Sequence, residues 1–225
     1  MSGADLSDPA PIVEWSTVPF QPVVQPYLRP VPRVVVYSNG DVIVTDYTVQ
    51  ESAPLVTPLL RGYLDPANVT ALMARAEADG LLAPPPDYID VSTEEFSHPP
   101  LTELVLRTDT DEFTHTVFGL RPAEETRDRL VIAEFVGVLE SLNVEFERFE
   151  PTLLVVKAER MIDDGDADPW PPSGPNLVTG RCMEVSDPAT VALLRSAKAG
   201  RLFESDGTTW RVAAQPLLPG RIPGC

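Results

Sequence analysis

Basic side chains are scarce in this 225-residue sequence: 17 Lys and Arg stand against 34 Asp and Glu, for a formal net charge of -17. DNA and anionic membranes both select basic patches, so the balance argues against non-specific binding to either. Lysine itself occurs only at Lys157 and Lys198. Arginine carries the rest, and with 25 prolines that bias reads as a GC-rich coding genome rather than an arginine cluster. No apolar run approaches the 18 or so residues that span a bilayer, so no transmembrane segment is expected. The stretch from Met1 to Pro11 has neither the basic region nor the apolar region of a signal peptide.

Residues that carry chemistry are equally thin. The two histidines are His98, in a proline-stiffened Ser97-His98-Pro99-Pro100 loop, and His115, in a strand pattern on the same face as Phe113 and Val117. No Gly-x-Ser-x-Gly elbow accompanies them, which leaves a hydrolase using His98 or His115 as an alternative without a nucleophile. Cys182 and Cys225 form no Cys-x-x-Cys pair and have no His-x-x-x-His beside them, so no zinc site is expected. Phosphate-binding glycine loops are absent. No cofactor is therefore expected.

One acidic cluster remains. Asp164, Asp166 and Asp168 alternate like the first three ligands of an EF-hand loop. Pro169 then stands where that loop needs glycine, and Pro175 stands where it needs a bidentate glutamate. Weak calcium binding is the chemical reading, and a solvated acidic loop is the plainer one. Trp170, between prolines, and Tyr88, after Pro84-Pro85-Pro86-Asp87, read either as exposed binding aromatics or as lids over a core.

What is present is a strand-rich pattern with three helices. Residues 1–32 carry prolines at 9, 11, 19, 22, 26, 30 and 32, which predicts a proline-rich arm with a short edge strand at 11–18. Two β-branched runs around Asn39-Gly40, covering 33–37 and 42–45, predict a hairpin. A second hairpin is predicted over 101–118, turning at Asp109-Thr110-Asp111. Asp65-Pro66 predicts a helix start, with Val69, Leu72, Met73 and Ala76 as its apolar stripe and Gly80 as its stop. A second helix is expected from Pro122 to about Leu142, striped by Val131, Phe135, Val138, Leu139 and Leu142. Strands at 152–157, 181–185 and 208–214 surround a third helix, from Asp187-Pro188 to about Ala199, closed by Gly200.

The expected fold class is α+β: antiparallel β-hairpins packed against about three α-helices. The expected division is an arm (1–32), a main lobe (33–150) and a smaller C-terminal lobe (151–225). Asp65-Pro66-Ala67 echoes Asp187-Pro188-Ala189, which reads as a shared way of starting a helix rather than as a duplication.

Several of these features occur together in one order. After the arm come Val36-Tyr37-Ser38-Asn39-Gly40-Asp41-Val42-Ile43, then Ala78-Asp79-Gly80-Leu81-Leu82, then His115-Thr116-Val117-Phe118-Gly119-Leu120. Gly180-Arg181-Cys182 and Trp210-Arg211-Val212-Ala213-Ala214-Gln215-Pro216-Leu217-Leu218-Pro219-Gly220 follow, with a cysteine just after. Over roughly 11–225 the chain resembles a group of uncharacterised exported proteins, often lipoproteins, of high-GC Gram-positive bacteria. The group brings no catalytic residues with it.

The resemblance implies envelope or extracellular location and pairing of Cys182 with Cys225. Such a bridge would close about 44 residues and contribute on the order of 4 kcal/mol in the chain-entropy picture. The cysteine count alone fits either a bridge or two thiols. A strand at 208–214 beside one at 181–185 is expected to bring the tail towards Cys182. The start lacks a leader or lipidation cysteine, so an envelope or extracellular site requires a leader removed upstream, and otherwise the expectation is cytoplasmic. The leading expectation for function is a non-enzymatic binding or protein-interaction module at the cell envelope, with an unidentified and basic protein partner.

Overall fold

The computed structural model describes residues 9–18, 28, 30–48, 53–86, 88, 100–120, 126–162 and 165–220. Among the described residues the class is α+β, with two mostly antiparallel sheets and three helices. In chain order the elements are β1 (Pro11–Val18), β2 (Val34–Tyr37), β3 (Asp41–Thr45), β4 (Leu59–Tyr63), α1 (Pro66–Ala78), β5 (Leu101–Arg107) and β6 (Glu112–Phe118). They continue as α2 (Arg127–Glu140), β7 (Glu147–Phe149), β8 (Leu154–Arg160), β9 (Ala167–Pro169), β10 (Cys182–Val185), α3 (Pro188–Ser196), β11 (Leu202–Ser205) and β12 (Thr208–Pro216).

The chain divides into two compact units. The first holds β1, Pro32–Thr45 and Leu60–Arg148. The second holds Asp46–Leu59 and the chain from Phe149 onward. The segment Asp46–Leu59, expected within the main lobe, thus belongs to the second unit.

The first unit is built on a seven-stranded sheet in the order β6-β5-β1-β2-β3-β4-β7. Both expected hairpins form it: Val36 faces Val42 across β2–β3, and Leu104 faces His115 across β5–β6. The strand expected at 11–18 is there, but it is no edge. β1 runs antiparallel to β2 on one side and to β5 on the other, with Glu14 between Val35 and Val105. Its proline is tolerated because Pro11 is the first residue of the strand, where the register to β2 shifts.

Every residue of β2 is buried, as its unbroken Val-Val-Val-Tyr run requires of a strand covered on both faces. On one face Val13, Trp15, Val34, Val36, Leu104 and Leu106 share a core with Val69, Leu72 and Ala76 of α1 and with Ile132, Phe135 and Leu139 of α2.

Helix α2 corrects the expected stripe. It starts at Arg127 with Thr126 as cap, later than Pro122, and its buried face is Arg129, Ile132, Phe135, Val136 and Leu139. A buried arginine in the stripe hides the pattern. Arg129 Nη2 donates to the carbonyls of Phe118 (2.9 Å) and Gly119 (3.2 Å), closing the end of β6.

The second unit is a five-stranded sheet ordered β10-β8-β12-β11-β9, antiparallel except between β9 and β11. Leu154, Val156, Ala158, Val212 and Ala214 of its strands share a second core with Val191 and Leu194 of α3, Phe203 and Trp170.

Candidate functional site

The β2–β3 turn begins a candidate site. Its positive φ (93°) suits Gly40, and so does crowding, because a Cβ there would lie 2.2 Å from the Leu64 carbonyl and 2.9 Å from the Tyr63 ring. That carbonyl's own amide donates to Gly40 O at 2.8 Å, so the turn is bound to the end of β4. Asn39 Nδ2 donates to Asp41 Oδ2 (2.8 Å), and Arg61 donates to Asp41 Oδ1 through Nε (3.1 Å) and Nη2 (2.8 Å). Asp41 is thereby held by two neighbours. Next to Arg61, Gly62 lets the chain at 144–146 come in close: a Cβ would meet Val144 Cγ1 at 2.2 Å and Phe146 Cδ1 at 3.0 Å.

These contacts leave an open cleft of about 570 Å³ lined by Asp41, Arg61, Gly62, Tyr63, Glu145, Phe146 and Glu147. Tyr63 is 58% exposed in it. Glu145 and Glu147 are exposed, and among the described residues neither carboxylate has an ion-pair or hydrogen-bond partner. The walls therefore combine two aromatic rings and two available negative charges with one internally neutralised Asp–Arg pair. Such a surface recognises by shape and charge. Among the described residues it holds no hydroxyl–imidazole or thiol–imidazole pair of the kind that activates a nucleophile.

His115 lies elsewhere in the first unit and is deeply buried, rather than half-buried as a sheet histidine of this pattern suggests. At 1% exposure it donates from Nε2 to the Leu81 carbonyl (2.8 Å) and accepts at Nδ1 from the Tyr88 hydroxyl (2.5 Å). The assignment follows because a carbonyl only accepts, which fixes the neutral tautomer. Burial lowers the His115 pKa from its ordinary value, with the Leu81 bond acting the other way. Burial and then the charge of Asp128 push the Tyr88 hydroxyl up to about 12. Both ring nitrogens are committed, and Tyr88 is a lid rather than an exposed aromatic. His98 lies outside the described residues.

Trp170 is likewise a lid. It is buried, meets Phe203 edge-on at 5.6 Å between centroids, and donates from Nε1 to the Pro175 carbonyl at 3.0 Å.

The acidic cluster is not an open ligand set. Asp168 accepts from Arg201 Nε (2.6 Å) and Nη2 (2.5 Å), and Asp166 accepts from Nη1 at 3.4 Å. Arg201 hydrogen bonding holds the Asp168 carboxyl below its usual range. A guanidinium thus stands where the cation would. Among the described residues no group of three or more His, Cys, Asp or Glu gathers to hold a metal ion; Asp164 lies outside them.

The expected adjacency of the cysteine strands is corrected. Cys182 on β10 faces Lys157 on β8, and Lys157 faces Ala213 on β12. β8 therefore separates the two strands by about 10 Å. β12 also runs on to Pro216, which is level with Leu154 and Val185 rather than with Cys182. Cys225 lies outside the described residues.

No family model, curated protein or solved structure matches the chain. Among the described residues no helix is long and apolar enough to cross a membrane.

Sequence reading singled out none of the seven cleft residues as a site. The available signal was Gly62, an isolated glycine inside the short stretch Leu59–Tyr63, which marks close approach of another backbone.

Proposed function

We propose that the chain is a non-enzymatic binding module at the cell envelope and that its partner binds in the β4–β7 cleft. One observation carries the reading: Tyr63 stands exposed in a cleft of about 570 Å³ shared with Phe146, Glu145 and Glu147, where Arg61 is already paired. Volumes of 300–1,000 Å³ are typical of ligand sites. The hydrolase reading is weaker, because His115 has no free nitrogen and no access to solvent. The reading also treats the three helices as lids seated on the hairpins, which the shared helix and strand membership of the two cores supports.

The envelope location rests on the resemblance to exported proteins and on a Cys182–Cys225 bridge. Eight residues lie between Pro216 and Cys225, enough chain to span up to about 30 Å and return to β10. Thiol titration of the denatured, unreduced protein is expected to find no reactive thiol. Two per chain would remove the bridge and the argument for an oxidising compartment.

The binding role is tested by capture from envelope extract at several salt concentrations, with wild type and the Tyr63→Ala/Phe146→Ala double variant side by side. A specific partner held by wild type and lost by the folded variant is expected. Recovery of no specific partner, or equal recovery by both, would count against the reading.

A further inference from the structure

We infer that the β4–β7 cleft grips arginine-type side chains of a basic protein segment. The inference rests on the binding reading above and names its ligand chemistry. The lining carries Asp41, Glu145 and Glu147 against Arg61, two net negative charges by count. Asp41 is spent on Arg61 and Asn39, so the charge open to a ligand is that of Glu145 and Glu147.

Two carboxylates on a surface would by themselves be solvated and indifferent. Here they line one cleft with two aromatic rings that lie close against glycine backbone. Gly40 lets the Tyr63 ring settle on the turn, and Gly62 lets Phe146 close against β4. Aromatic faces attract cations, and a guanidinium stacks on them while its edge donates to carboxylates. The chain's net charge of -17 steers basic partners towards it.

An anionic ligand would meet Glu145 and Glu147 first and would find Arg61 already neutralised. A neutral apolar ligand would leave both carboxylates to be desolvated without compensation. The cationic occupant is the one that the two rings and the two open carboxylates favour.

The test uses the full chain, titrated calorimetrically at low salt with capped hexa-arginine, hexa-lysine and hexa-glutamate peptides. Hexa-arginine is expected to bind saturably, hexa-lysine more weakly, and hexa-glutamate not at all. Tyr63→Ala should weaken hexa-arginine about two- to fivefold, the size of an exposed cation–π contact. Glu145→Gln/Glu147→Gln should weaken it about tenfold, as two exposed ion pairs allow. The control is Glu77→Gln/Glu140→Gln, which removes the same charge from exposed helix positions and should change affinity less than twofold.

Equal losses in the control and the cleft variant would overturn the inference, because net charge alone would then explain binding. So would hexa-glutamate binding as tightly as hexa-arginine, or no peptide binding at all. If Tyr63→Ala/Phe146→Ala still abolishes partner capture while hexa-arginine ignores the cleft, the ligand class fails and the binding reading stands. If neither depends on the cleft, both fail.

Discussion

Helices α1 and α3, one in each unit, start from nearly the same residues and end by different means. Asp65 caps α1 by accepting from the Asn68 amide at 2.9 Å, and Asp187 caps α3 by accepting from the Thr190 amide at 2.8 Å. Pro66 and Pro188 occupy the first turn, where a missing N–H costs nothing.

The ends diverge. α1 runs 13 residues and stops by local chemistry: Gly80, at φ 76°, lets its own amide reach Glu77 O and the Leu81 amide reach Ala76 O. His115 then ties down the Leu81 carbonyl. α3 stops after 9 residues although Gly200 stands four positions further on. Ala197 turns to an extended conformation because residues 197–199 pair like a strand with 53–55. Leu55 N donates to Ala197 O at 2.9 Å and Ala199 N donates to Ala53 O at 2.8 Å. A helix start is written in four adjacent residues; a helix end also answers to distant backbone.

If burial rather than capping anchors both helices, removing one buried leucine from each should cost more than removing either cap. Leu72 on α1 is 6% exposed and Leu194 on α3 is not exposed at all. Leu72→Ala and Leu194→Ala are each expected to cost about 2–5 kcal/mol, Leu194→Ala the more, by urea denaturation. A cost below about 1 kcal/mol at either position would mean that helix does not depend on its core face.

Acid should separate the two helix ends. Burial holds the His115 pKa below its ordinary 6.5, so the folded chain takes up that proton less readily than the unfolded chain. The stabilisation is then complete above pH 6.5 and declines as the pH falls below it towards the folded-state pKa. Protonation removes the acceptor that Tyr88 uses and puts charge beside the end of α1, whereas among the described residues α3 has no such group. In a His98→Asn background, the urea midpoint is expected to drop between pH 7.5 and 5.5 in the parent and by less in His115→Gln. Equal drops would show that His115 is not the group responsible.

The same contrast explains how much of the molecule was legible. Asn39-Gly40, Asp109-Thr110-Asp111, Asp65-Pro66 and Asp187-Pro188 are local signals, and the elements they announce are where they were expected. The end of α3, the central place of β1 and the short strands β4, β7 and β9 are set by partners far along the chain. The cleft failed to show for that reason: Tyr63 and Phe146 are ordinary aromatics until Gly62 brings two segments about 80 residues apart together. Arg129 misled in another way, since a charged residue within a buried stripe rotates the apparent face of α2.

The smallest effects should come from the caps, and they should not be equal. Asp65 holds the Asn68 amide and side chain, both exposed and both local to the first turn. Asp187 Oδ2 accepts from the Thr190 amide (2.8 Å), the Thr190 hydroxyl (2.7 Å) and Ser173 (2.9 Å), fourteen residues upstream. Those bonds, the Thr190 hydroxyl first, hold the Asp187 carboxyl below its usual range. Thr190 is fully buried, so its hydroxyl loses a partner it cannot replace with water when the carboxylate is removed. Asp187→Ala is therefore expected to cost about 2 kcal/mol and Asp65→Ala about 1 kcal/mol or less, the two ends of the range for helix caps. The excess at Asp187 should shrink in a Thr190→Val background, where the stranded hydroxyl is gone, while Asp65→Ala keeps its cost there. Equal costs in the parent protein would mean that Ser173 and the Thr190 hydroxyl add nothing to the α3 cap, and that the two starts are alike in energy as well as in sequence.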